Sequence, residues 1–500
     1  MSATSNATGR VFGVLALMLQ IGMLFAYGFE GSLLNEGILG TTPTSTPVTV
    51  ASQFLIEYVL MAAFALLGFG LLLSFLKYGT WSGMATALLV ISVNIQLGLL
   101  FQKFWFNIFT NGFGNQQDIA NAILLNNNPV VTTNNAFAEF FDQHQFVNIQ
   151  PNVTILRITL MNTISCLVAF LGFIGRIGLL ETFLTTVSFN VGWNLAYYLN
   201  FNLHWARSPS PIAFDDMGTD TVYLFGSFFA LFMMIILACK PAVREENKAY
   251  VMNRISGLLG LLGTAFVFAT FALTGHNYPV RFNNLSNNLQ SMNVIYALAS
   301  SVVCSYIFSA LFNKGSVGIR EAMLGTITGG VLVGCVSAFP YNLTIALAIG
   351  AISGLITAFW LSFIHPKINS TRIFDSHGIL GTFWIASIFG GVIFAPSLIQ
   401  VYVNYGFGSQ YYGVDLFVDT AYNFAQEAAG FQLVYAGIAA GVGAAFGLGT
   451  GIVMVCLRNT DDDFNDAALF VRGDYGLYNH DKVETGDKQE SAAHLKNENQ

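Results

Sequence analysis

The chain has 500 residues, of which 54% are hydrophobic and 9% charged, with a mean hydropathy of +0.59 and a net charge of −7. A soluble domain carries about a quarter charged residues, so a soluble class is excluded. The negative charge says little about partners, because the acidic residues gather in the C-terminal tail; no nucleic-acid partner is expected.

Apolar segments long enough to cross a bilayer, roughly 20 residues each, recur along the chain. They are Val11–Phe29, Phe54–Leu76, Met84–Phe106, Ile155–Gly175, Leu179–Leu199, Val222–Cys239, Ile255–Leu273, Asn293–Phe312, Ala322–Phe339, Leu343–Ile364, Gly378–Ile399 and Ala428–Leu457. The pattern predicts an all-α integral membrane protein of about twelve helices, with a membrane domain over 1–457 and a hydrophilic tail over 458–500. A β-barrel would show short alternating stretches instead. Val11–Phe29 lacks a small-residue cleavage site after it and reads as a retained first helix rather than a signal peptide.

Basic residues fall on one side. With the N-terminus cytoplasmic, inner loops hold Arg10, Lys77, Arg176, four Lys or Arg between 240 and 254, Lys314, Arg320, Lys367, Arg372 and Arg458. The outer side holds Lys103, Arg157, Arg207 and Arg281. Both termini are therefore expected in the cytoplasm. The Asn-rich segment 107–152 is the long outer loop. Asn152 and Asn284 lie in glycosylation sequons on that side, close to helix ends.

Chemistry-bearing residues are sparse. The five cysteines lie in or at the ends of apolar helices and read as packing residues, with no metal-ligand spacing. No nucleophile or nucleotide motif is present, so neither an enzyme nor a cofactor is expected. Glycines four apart, such as Gly325–Gly329, Gly437–Gly441, Gly443–Gly447 and Gly447–Gly451, predict closely packed helices. Such packing suits a rigid bundle with a fixed path better than a rocking carrier. A sugar or drug carrier fits poorly, because the loop Lys77–Thr80 lacks the basic motif those carriers use.

Two polar motifs open long apolar helices in the two halves of the chain: Asp215-Asp-Met-Gly218-Thr219-Asp-Thr221-Val-Tyr223-Leu-Phe225-Gly226, and Phe374-Asp375-Ser-His377-Gly378-Ile-Leu-Gly381. Polar pairs at matching places in a membrane protein mark a substrate path, since polarity in lipid is costly. Asp215 is placed to cap its helix or to orient a recruitment site.

With Leu67-Gly-Phe69-Gly70, Gln102-Lys-Phe104-Trp105, Thr326-Ile-Thr-Gly329-Gly330, Gly430-Phe-Gln432 and Asp463-Phe464-Asn-Asp466, the ordered motifs resemble the Rh glycoprotein branch of the ammonium transporter superfamily. The resemblance implies a homotrimer whose protomers carry an inverted five-helix repeat preceded by one extra N-terminal helix. It implies a plasma-membrane protein in which ammonium is recruited outside and deprotonated. Ammonia, and in some relatives carbon dioxide, then crosses an apolar pore past two facing histidines. By that resemblance Tyr223 stands where the first histidine would be and His377 is the second. Phe266 is a gating aromatic, and Met161 marks a gate position whose aromatic is missing. A phenol at 223 cannot accept a proton as imidazole does, but it can donate a hydrogen bond to His377. The rival reading, resting on Tyr223, is a transport-inactive structural subunit that organises membrane partners.

Overall fold

In a computed structural model of the chain, the regular elements among the described residues are all helical. The structure describes residues 3–30, 48–73, 80–112, 153–205, 217–239, 285–337, 343–369, 377–404 and 418–457, with short pieces between them that include Asp215, 262–265, Phe268, Phe339 and Asp375. The second part of the 107–152 loop, the sequons at Asn152 and Asn284, Phe266 and the tail 458–500 lie outside the described residues.

Helices are dictated by the apolar composition, because a segment in lipid must satisfy its backbone hydrogen bonds internally. In chain order they are α1 (Ala3–Glu30), α2 (Val48–Leu73), α3 (Thr80–Gly112), α4 (Val153–Phe173), α5 (Leu179–Trp205), α6 (Thr219–Leu237), α7 (Leu285–Phe312), α8 (Ile319–Val333), α9 (Leu343–Asn369), α10 (from Leu380–Trp384 to Ala395–Asn404) and α11 (Val418–Leu457). Among the described residues six helices are long and apolar enough to span a membrane, and shorter apolar ones join them. The chain is a multi-pass membrane protein. The expected span Ile255–Leu273 is described only at 260, 262–265 and 268.

Glycine lets these helices close on one another. A Cβ on Gly443 would lie 2.8 Å from the Phe225 carbonyl oxygen of α6, and one on Gly451 would lie 2.9 Å from Ile236 Cβ. Gly354 brings α9 against the Cys304–Ser305 turn of α7 in the same way, 2.8 Å from Cys304 Cβ. Gly437 and Gly441 have nothing within 4 Å, so that part of the glycine pattern faces away from the chain's own core.

Buried polar groups are tied into the packing as well. Asn162 donates to Asn190, which donates to Asn94, joining α4, α5 and α3 through two bonds of 2.5 Å. α1 packs on α3 and α5 through Phe12, Leu15 and Leu19 around Met23, Val93, Leu97 and Phe183. A Gln20–Gln96 hydrogen bond of 2.8 Å joins it to α3. The main core contains the starts of α6 and α10, which define the site.

Candidate functional site

Two helices start inside the bundle from the same kind of bend. At the first, Gly218 takes a left-handed φ of 73° and the chain enters a π turn, Thr219–Leu224, before regular helix begins at Phe225. The turn leaves backbone N–H groups without carbonyl partners, and Asp215 takes them up. Its Oδ1 accepts from Asp220 N at 2.9 Å; its Oδ2 accepts from Thr221 N at 2.8 Å and Thr221 Oγ1 at 2.7 Å. At the second, Gly378 has φ 78° and a π turn, Leu380–Trp384, follows. Asp375 Oδ1 accepts from Gly378 N and Ile379 N at 2.9 Å, and Oδ2 from Leu380 N at 3.0 Å. Asp, then Gly three residues on, then a π turn is one device used twice.

This equivalence sets the register of what faces what. Eight residues after Asp215 stands Tyr223, and eight after Asp375 stands Phe383. Their rings stack, with centroids 5.7 Å apart and planes 22° from parallel. Phe268 packs on the other side of Tyr223 at 5.6 Å, and Phe69 lies 6.3 Å from Phe383. All four side chains are at most 1% exposed, so the two breaks meet in an apolar column of rings drawn from four segments. Gly330 lies against the Phe268 ring, where a Cβ would come within 2.7 Å of ring atoms.

His377 sits elsewhere. Its Nδ1 is 2.9 Å from the Leu171 carbonyl oxygen of α4; a carbonyl only accepts, so Nδ1 carries the hydrogen. His377 Nε2 and the Tyr223 hydroxyl are both buried and have no hydrogen-bond partner among the described residues. The expected Tyr223–His377 hydrogen bond is therefore not formed, and the ring opposite Tyr223 is Phe383. The cause is local: Tyr223 lies beyond its left-handed glycine, inside the helical register, whereas His377 precedes Gly378 and is turned back toward α4.

The other expected residues fall as follows. Asp215 is 1% exposed and caps the first break, one of the two roles its position allows. Met161, 1% exposed, lies beside that break, with its Cε 3.4 Å from where a Cβ on Gly218 would be. Phe266 is outside the described residues; two residues on, Phe268 packs on Tyr223. Phe383, Phe268 and Asp375 were not singled out from sequence, although the repeated Asp-x-x-Gly spacing was the signal that finds the first and third.

A charged group backs the second break without entering the column. His365 Nε2 lies 3.2 Å from the Asp375 carbonyl oxygen and 3.5 Å from an Arg320 Nη2, and Asn369 Oδ1 accepts from Asp375 N at 3.2 Å. Chemically, the column offers stacked aromatic surface and the unpartnered Tyr223 hydroxyl, with no ion pair among the described residues.

Capped, internally broken helix starts that meet inside a bundle of apolar helices are an arrangement that membrane transporters built from repeats use. No protein-family model matches the chain. In sequence it is similar to "Ammonium transporter Rh type C" of Xenopus laevis, 23% identical over 399 residues that cover 78% of this chain and 72% of that one. The protein of the same name from Rattus norvegicus is 23% identical over 405 residues, covering 79% and 71%. The fold is similar to that of Rh50 from Nitrosomonas europaea, with a TM-score of 0.65 at 19% identity over 90% of this chain and 98% of that one. It is also similar to that of Saccharomyces cerevisiae Mep2, with a TM-score of 0.55 at 16% identity, covering 86% and 93%. In sequence the chain is thus similar to Rh-type ammonium transporters, and in fold to Rh50 and Mep2.

Proposed function

We propose that this protein is a membrane channel for ammonia and ammonium in which only the neutral gas passes the centre, through a pore within each protomer of a homotrimer. The observation that carries this reading is the stack of Tyr223 on Phe383, flanked by Phe268 and Phe69, where the two broken helices meet. Shedding water from ammonium in such surroundings costs far more than shedding it from ammonia, which is small and neutral. Rings therefore reject the ion without any charge filter. His377 Nε2 is a lone pair waiting for an N–H donor, which ammonia supplies. Ammonium is recruited at the outer mouth near Asp215 and leaves its proton there. Met161, beside the first break, and by the family resemblance Phe266 serve as gate positions, both termini lie in the cytoplasm, and the protein resides in the plasma membrane. Carbon dioxide, also small and neutral, meets the same column.

One observation favours a second reading. Tyr223 and Phe383 are 0% and 1% exposed, and a stack this close also serves as a plug. A sealed bundle would act as a structural subunit organising membrane partners.

Liposomes holding the purified protein, followed by internal pH after an ammonium jump, separate the two. The channel reading expects alkalinisation faster than in empty liposomes and a loss of that excess in His377→Ala. The structural reading expects wild type equal to empty liposomes, with Phe383→Ala creating a signal by emptying the plug.

A further inference from the structure

The amide ladder that joins α3, α4 and α5 is saturated at its middle and idle at its edges. Asn190 Nδ2 donates to Asn94 Oδ1 at 2.5 Å and to the Thr186 carbonyl at 3.0 Å. Its Oδ1 accepts from Asn162 Nδ2 at 2.5 Å. These bonds fix the orientation of Asn162, because turning its amide over would set oxygen against the Asn190 oxygen. The Asn162 Oδ1 so placed is buried and has no hydrogen-bond partner among the described residues. One turn further along α5, Asn194 repeats the situation. Its Nδ2 donates to the Asn190 carbonyl at 2.9 Å, and its buried Oδ1 has no partner among the described residues. Both side chains are 0% exposed. Gln102 of α3, 1% exposed, adds a third idle amide oxygen; its Nε2 donates at 3.1 Å to Thr159 Oγ1, on α4 near Asn162.

Tying helices together accounts for Asn94 and Asn190 but not for these oxygens. Polar side chains inside a membrane are costly, and interhelical hydrogen bonds justify only the atoms that make them. All three idle atoms are acceptors, so what they call for is a donor of N–H or O–H groups. The oxygens are neutral and no carboxylate stands among them, which disfavours a metal cation; acceptors repel an anion. The chemistry fits a small uncharged protic molecule.

We propose that α3, α4 and α5 enclose an internal water-binding site in which water donates to Asn162 Oδ1 and Asn194 Oδ1. A buried water makes about three hydrogen bonds to polar groups that otherwise lack partners. Its two O–H bonds serve the two oxygens. Its lone pairs accept from Asn162 or Asn194, each of which uses one of its two amide N–H groups. The site lies one layer behind the first break. Met161, next to Asn162, approaches Gly218, and Trp193, next to Asn194, donates to the Thr221 carbonyl at 2.8 Å. A hydrated pocket thus sits beside the dry ring column, and this assignment does not depend on what the column conducts.

Radiolysis of solvent water reads the site directly, since hydroxyl radicals formed at bound water oxidise the side chains next to it even deep in a protein. Cys166 is the reporter: it is fully buried, with its thiol on the Asn94 side chain. Met233, equally buried in the apolar core on α6, is the dry control. In full-length protein in detergent, Cys166 should be oxidised at least about fivefold faster than Met233, both sulfurs being readily oxidised. Asn194→Leu, which removes one idle oxygen and fills its place with an apolar group, should bring Cys166 down to the control rate. Cys166 as unreactive as Met233 in the wild type would overturn the proposal. Fast oxidation of Cys166 left unchanged by Asn194→Leu would overturn it as well. Should the variant fail to fold, the wild-type ratio decides alone.

Discussion

The two capping aspartates are the residues on which the site's geometry hangs. Each satisfies three donors that the bundle hides from water. Removing a cap costs about 0.5–2 kcal/mol, and stranding buried donors adds about 1–3 kcal/mol. Asp375→Ala should therefore lower the melting temperature in detergent clearly, while Asp375→Asn should recover part of the loss through its side-chain carbonyl. Equal losses in both variants would mean that charge rather than acceptor geometry holds the turn. Tyr223 makes the opposite case. Its hydroxyl is buried and unpartnered among the described residues, so Tyr223→Phe removes a desolvated group and leaves the ring stack intact. The expected result is a melting temperature equal to or above wild type. A lower one would reveal a partner for the hydroxyl in the native membrane protein.

At the scale of helices, the glycine spacing was legible in sequence, but its direction was not. Gly443, Gly447 and Gly451 meet α6, while Gly437, Gly441 and Gly449, on the same helix, meet nothing within 4 Å. Spacing four apart says that a face is smooth; only the packing says which smooth face is covered. Gly447→Ala would bring its Cβ 2.9 Å from Phe229 Cα, which is backbone and cannot swing aside. Overpacking of this kind costs about 1–3 kcal/mol. Gly449→Ala, two residues on and in open space, should be neutral or stabilising, since alanine favours helix by about 1 kcal/mol over glycine. Thermal unfolding of the two variants side by side reads the difference. Similar melting temperatures would mean that α11 does not lean on α6 as described. The broken helices show the same limit. Apolar length predicted where α6 and α10 lie, yet a six-residue slip in the second motif gave the partner position to His377 instead of Phe383. A histidine beside a glycine is conspicuous in an apolar chain, whereas one phenylalanine among 46 is not. The capping pair Asp375 and Gly378 fixes the register, and it is informative only when laid over Asp215 and Gly218. The contacts that Asp220 makes with Cys335 and Gln432 were illegible for a different reason: the residues stand at 220, 335 and 432, and only helix convergence brings them together.

Across the whole molecule, composition alone dictated the class, because 9% charged residues cannot cover a soluble surface of this size. Which species crosses depends on how the two halves meet. They meet through four buried rings, with the Arg320 guanidinium and the His365 ring beside it held behind the second break on the Asp375 backbone. On the channel reading proposed above, such a centre passes only a neutral species. A permeating ion would feel the membrane potential, which is worth about 2.3 kcal/mol per elementary charge per 100 mV, while a neutral gas would not. Proteoliposomes clamped at a potassium diffusion potential of either sign should therefore show the same initial ammonia-driven pH change as at zero potential. They should also show no protein-dependent current when ammonium is added. A rate that climbs steeply as the interior is made negative would mean that charged ammonium passes the Tyr223–Phe383 stack. The rings would then have to part during transport, and the neutral-gas reading would fail even though the fold stands.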